Sequence, residues 1–69
     1  MDGERISVIF RENGLLVDKL HNGETVRLYD INGMEYFVGK AKGTQLFIPV
    51  NKHSFFIVKT EDESLKFMY

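Results

Sequence analysis

Short runs rich in Val, Ile, Leu, Phe and Tyr recur along the chain, and no stretch sustains apolar residues at i, i+3, i+4, i+7 over three turns. Glycine punctuates the runs at an even beat: Asn13-Gly14, Asn22-Gly23, Asn32-Gly33 and Lys42-Gly43, each nine or ten residues after the last. Asn-Gly suits a two-residue type I′ turn, because both central residues need positive φ. The pattern predicts seven strands: Ile6 to Arg11, Leu15 to Leu20, Thr25 to Ile31, Glu35 to Gly39, Thr44 to Ile48, Phe55 to Thr60 and Leu65 to Tyr69. Spacing of about 8 to 12 residues belongs to a sandwich or barrel, whereas an isolated meander leaves one face bare. The expectation is an all-β fold, a small antiparallel β-sandwich. Pro49 ends the fifth strand or marks it as an edge, since it cannot donate to a ladder.

Successive side chains of a strand point to opposite faces, which sorts the runs into an inner and an outer set. Ile6, Val8, Phe10, Val26, Leu28, Leu46, Ile48, Phe56, Val58, Leu65, Phe67 and Tyr69 are assigned inward. The opposite set is partly polar, with Arg5, Ser7, Arg11, Arg27, Gln45, Lys59 and Lys66. It also holds Ile9, Phe37, Phe47, Phe55, Ile57 and Met68, more large apolar groups than a lone small sandwich normally exposes. Two readings follow. Either the phase is shifted in one or two strands or the shell is simply greasy, or at least half of these residues cluster into a contact surface for another protein or a second copy.

Composition narrows the picture. At 69 residues, one domain over 1–69 is all the length allows, near the lower limit for a self-supporting apolar core, with residues 1–5 expected as a flexible start. There is no cysteine, so neither disulfides nor a thiolate metal site supplements the core. Nine Lys and Arg against ten Asp and Glu leave a net charge of −1, which offers no global field for nucleic acid or anionic lipid. No apolar run approaches the roughly 20 residues needed to span a bilayer, and residues 1–20 lack the apolar core of a signal peptide. The chain is then either intracellular or a piece of a longer protein.

Catalytic chemistry finds little purchase. The two histidines, His21 and His53, fall in predicted loops without a nucleophile elbow or a carboxylate at ligand spacing, and no metal site is expected. The acidic turn Glu61 to Ser64 reads as a solvated hairpin tip, with too few oxygens for calcium. Asp18 with Asp30, or Glu61 to Glu63, names no working acid–base pair, because nothing singles out one buried acid. Lys40, Lys42, Phe47, Lys52, His53, Phe55 and Lys59 would make a basic-aromatic patch for nucleic acid, but the strand aromatics fit packing better.

The order of three segments carries more weight: Val26-Arg27-Leu28-Tyr29-Asp30-Ile31-Asn32-Gly33, then Ile48-Pro49-Val50, then Phe56-Ile57-Val58-Lys59. Together with Leu15 to Leu20, the Asn22-Gly23 turn and the last run, this order resembles the C-terminal type IX secretion sorting domains of Bacteroidetes surface proteins. The resemblance covers residues 6–69. Ser54-Phe55-Phe56 stands where that family usually has Gly, an apolar residue and Tyr, and Met34 stands where it often has Arg. The resemblance implies an immunoglobulin-like sandwich of seven strands without catalytic residue or cofactor. Such a domain is a passive address at the end of a secreted or surface-anchored parent protein, read by outer-membrane machinery. It implies that Tyr29, Asp30 and Gly33 shape the motif turn, that Phe56 and Lys59 belong to the strand in the place of the family's Gly-x-Tyr-x-Val strand, and that Leu65, Lys66, Phe67, Met68 and Tyr69 form the terminal strand within reach of the machinery. The bland account has Tyr29 packing in a strand, Gly33 serving a type I′ turn and Asp30 accepting hydrogen bonds from that turn. The competing function is an interaction module that pairs with a partner or with itself through an exposed face or edge strand.

Overall fold

The computed structural model describes residues 6–69, and the expected flexible start over 1–5 lies outside them. The apolar runs form seven antiparallel strands: β1 (Ser7–Arg11), β2 (Gly14–Asp18), β3 (Thr25–Asp30), β4 (Glu35–Lys40), β5 (Leu46–Pro49), β6 (Phe55–Lys59) and β7 (Ser64–Met68). They make two sheets, ordered β1-β2-β5 and β4-β3-β6-β7. This is the strand order of an immunoglobulin-like sandwich whose fourth strand has joined the sheet of the third, sixth and seventh. All-β class and strand number agree with the sequence pattern. The expected start of the fifth strand moves from Thr44 to Leu46, because Lys42 and Gln45 close a tight turn and the Thr44 carbonyl is taken by the Leu20 amide at 2.9 Å. Pro49 is the last residue of β5, which is an edge strand as its missing donor requires.

Registers turn the alternation into two facing apolar layers. One sheet presents Phe10–Leu15–Ile48 and Val8–Val17–Leu46 as cross-strand rows. The other presents Phe37–Leu28–Val58–Leu65, with Phe56 and Phe67 in the next row. Leu15, Val17, Val26, Leu28, Ile48, Phe56 and Val58 are fully buried between them. Each such burial contributes about 1.5–3 kcal/mol against the entropy of ordering the chain. Leu20 and Ala41 plug one end of the layer from the loops that cross between sheets, and Val50 plugs the other.

Phe37 corrects the face assignment. Between Leu28 and Tyr29 the β3–β4 register shifts by one, so that Leu28 faces Phe37 while Tyr29 faces Glu35, leaving Tyr36 as the extra residue of a β-bulge. Phe37 therefore packs against the core rather than outward, its ring lying over Gly39, where a Cβ would come within 2.9 Å of Cε2. Tyr36 joins it, edge-on to Phe56 with ring centres 5.3 Å apart. Phe10 points inward as assigned, yet it is 52% exposed. It sits on an edge strand, where the gap between sheets opens sideways.

The glycine turns also differ from the expectation. Among described non-glycine residues only Lys19 has positive φ, so Asn13, Asn22 and Asn32 do not and type I′ is excluded at all three. Glu12 and Asn13 make the β1–β2 turn, and Gly14 opens β2. Gly14 is needed for space. A Cβ there would run into the Ile48 carbonyl oxygen and stand 2.9 Å from Phe47 Cζ. Asn22-Gly23 and Lys42-Gly43 serve two of the three crossings between sheets, which Gly43 N–H donating to Asn22 Oδ1 at 2.9 Å ties together. The acidic turn is not a free tip either: Glu63 is half-buried and its Oε1 accepts the Ile6 amide at 3.2 Å.

Gly14→Ala is expected to cost more than about 2 kcal/mol through that collision, and Gly23→Ala, which has open space but positive φ, about 1 kcal/mol, measured by urea unfolding. The reverse order would refute the close approach of β2 and β5. Phe37→Ala should cost about 2–3 kcal/mol and Phe55→Ala under about 1 kcal/mol in the same assay, which checks the inward placement of Phe37.

Candidate functional site

The motif turn is built by one carboxylate. Asp30 N–H donates to the Met34 carbonyl at 2.9 Å and Gly33 N–H donates to the Asp30 carbonyl at 3.0 Å, closing a loop of Ile31, Asn32 and Gly33. Asp30 Oδ1 accepts the amides of Asn32 at 2.9 Å and Met34 at 3.0 Å. Gly33 follows with φ of +81°, a left-handed residue after a tight turn, which favours glycine. Asp30 thus has the turn-holding role foreseen for it, while Gly33 serves a three-residue loop rather than a type I′ turn. Ile31 and Met34 stand exposed at the tip.

At the same end of the sandwich the last residue is anchored on several sides. Tyr69 N–H donates to the Ser54 carbonyl at 2.9 Å, and its hydroxyl donates across to the Arg11 carbonyl of β1 at 2.7 Å. His53 stacks on the Tyr69 ring with centres 4.9 Å apart, and its Nδ1 lies 3.2 Å from the Tyr69 carbonyl oxygen, an acceptor that assigns the proton to Nδ1. Tyr36 OH donates to Asn51 Oδ1 at 3.0 Å, and Lys52 Nζ sits 5.7 Å over the Tyr36 ring. These groups border an open cleft of about 300 Å³. Its aromatic faces are already covered by His53 and Lys52, so the cleft is a stitched loop cluster.

Alternation divides the remaining recognition residues. Phe56 is fully buried, and Leu65 and Phe67 pack on the core, so none of the three offers a free surface in the folded chain. Lys59, Lys66 and Met68 are exposed on the outer face. There Met68 lies opposite Phe55, Lys66 opposite Ile57, and Lys59 opposite both Arg27 and Ser64. Lys66 Nζ is 5.7 Å from the Phe55 ring centre, and Arg27 is paired with Glu35 at 2.7 Å. Tyr29 is half-buried on this face beside Ile57. A second open cleft, about 360 Å³, runs between Arg27, Tyr29 and Lys59.

The six interface candidates are divided among faces, and half of them share one. Phe55, Ile57 and Met68 lie on the outer face of the four-stranded sheet, Ile9 and Phe47 on the outer face of the other, and Phe37 is inside. The register adds Leu16 between Ile9 and Phe47, which alternation along single strands did not single out. His21 belongs to the opposite end from His53, and among the described residues no group of three His, Cys, Asp or Glu is arranged to hold a metal ion. No described helix is long and apolar enough to cross a membrane. No protein-family model, curated protein or solved structure matches the chain.

Asp30→Ala should lower stability by about 1.5–3 kcal/mol, since it strips two charge-assisted hydrogen bonds from the turn, and Tyr69→Phe by about 1 kcal/mol. Thermal unfolding of both variants measures this. An unchanged Asp30→Ala midpoint would remove the carboxylate as the organiser of the turn.

Proposed function

We propose that this sandwich is a non-enzymatic sorting and surface-attachment domain of a longer secreted bacterial protein, read by type IX outer-membrane machinery. The observation that carries the reading is the β3–β6 ladder, in which Leu28 faces Val58, Tyr29 faces Ile57 and Asp30 faces Phe56. The first and third of the segments that carry the resemblance are therefore one central strand pair, and the Tyr29-Asp30 end of that pair leads into a hydrogen-bonded, exposed turn. A folded address needs a stable frame with a reachable margin. The fully buried Phe56 and Val58 supply the frame, and the exposed Lys66 and Met68 of β7, next to β6, supply the margin. Recognition on this reading is by surface, with the partner protein contacting Lys59, Lys66 and Met68 and the motif-turn tip.

A reporter preceded by a signal peptide and followed by residues 1–69 should reach the cell surface in a host with that secretion system. Lys66→Ala combined with Met68→Ala should reduce surface display without lowering the melting temperature of the isolated chain. Retention of the unmodified fusion in the periplasm would overturn the proposal.

A further inference from the structure

Two open sheets leave four edge strands, β1, β5, β4 and β7, each a template for another strand. β5 spans four residues and ends in Pro49, and β4 is bent by the bulge at Tyr36. β7 is regular over five residues, and among those described no strand pairs with its outer side. Tyr69 N–H donates to Ser54 and Thr60 N–H donates to Glu63, which sets the phase of the β6–β7 ladder. Residues 63, 65, 67 and 69 turn their backbone groups toward β6, so Ser64, Lys66 and Met68 turn theirs away.

The flank of this edge is a slot with closed ends. Ile6 N–H bonded to Glu63 Oε1 joins β7 to the β1 side at one end, and Tyr69 OH bonded to the Arg11 carbonyl joins them at the other. Between these ties the ring of Phe10 is half exposed, with its centre 6.0 Å from that of Phe67 and 5.4 Å from that of Tyr69. A strand added to β7 would carry alternate side chains over this slot, beside Leu65 and Phe67, and the others onto the outer face beside Lys66.

We propose that the outer edge of β7 accepts an extended segment of a partner protein with apolar–acidic–apolar alternation, the acidic side chain facing Lys66 and the apolar ones covering Phe10. Charge decides the occupant. The antiparallel register of β7 with a second copy that uses all three free residues sets Lys66 against Lys66, and like charges directly opposite are unfavourable. An acidic residue at that position is favourable, and the half-exposed phenyl ring calls for apolar neighbours on the other side. Lys66 thus disfavours self-pairing in that register and favours a complementary strand at once.

The inference goes beyond the sorting reading and is tested on the purified chain, so a failed export assay and a failed binding assay are separate results. The probe is the capped peptide acetyl-Ser-Thr-Val-Glu-Val-Thr-Ser-amide, with its Glu→Lys counterpart as control. Hydrogen exchange by NMR is expected to slow at the Ser64, Lys66 and Met68 amides by about tenfold or more at saturation, with shifts of the Phe10 ring protons. The acidic peptide should bind about fivefold tighter than the basic one, and Lys66→Glu should reverse that preference. Absence of protection at millimolar peptide, equal binding of the two peptides, or protection that rises with protein concentration alone would each overturn the proposal, the last in favour of a second copy.

Discussion

The exclusion of water from one thin apolar layer between two sheets is the constraint on which this molecule depends. With 69 residues and no cysteine, neither a second layer nor a covalent staple is at hand. Every strand therefore contributes an inner row, and the three crossings between sheets contribute Leu20, Ala41 and Val50 as end plugs. The close contact of β2 with β5 follows from the same shortage. Gly14 admits the Ile48 carbonyl, and the Phe47 ring covers the place where a side chain would otherwise stand.

The Gly14→Ala and Phe37→Ala experiments bear on what the chain discloses before folding. All seven strands are legible, because short apolar runs separated by turn residues leave few other periods open. Turn conformation is less so. Asn-Gly predicts a bend, but in Asn22-Gly23 the bend crosses between sheets, and in Asn13-Gly14 the glycine also answers to Ile48 across the sheet. Phe37 escapes alternation for a similar reason. A single extra residue, Tyr36, inverts the phase of β4, and nothing local in Glu35-Tyr36-Phe37 marks a bulge that register with β3 decides.

The candidate site divides along the same line. Asp30 was readable as a turn acceptor because its hydrogen bonds reach only two and four residues ahead. The recognition set around β6 and β7 mixed two populations that differ by parity: Phe56, Leu65 and Phe67 maintain the core, while Lys59, Lys66 and Met68 face outward. Long-range contacts escaped notice. The Tyr69 hydroxyl on the Arg11 carbonyl and the Glu63 carboxylate on the Ile6 amide join residues nearly a chain length apart, and no sequence periodicity encodes them.

Those two ties explain how so small a sandwich tolerates open margins. The edge strands β1 and β7 belong to different sheets and are not paired with each other, yet both ends of the gap between them are closed by a hydrogen bond. The middle is filled by rings from both sides, Phe10 against Phe67 and Tyr69, without complete burial. Sealing the gap with a direct β1–β7 ladder would bury more of Phe10 but consume the outward backbone groups of Ser64, Lys66 and Met68. Leaving it ajar keeps a regular strand free at modest cost, since an exposed aromatic that still touches two neighbours retains part of its packing. Lys66 in the middle of that strand makes the openness sustainable, because the surface that admits a partner is the one where a second copy meets its own charge.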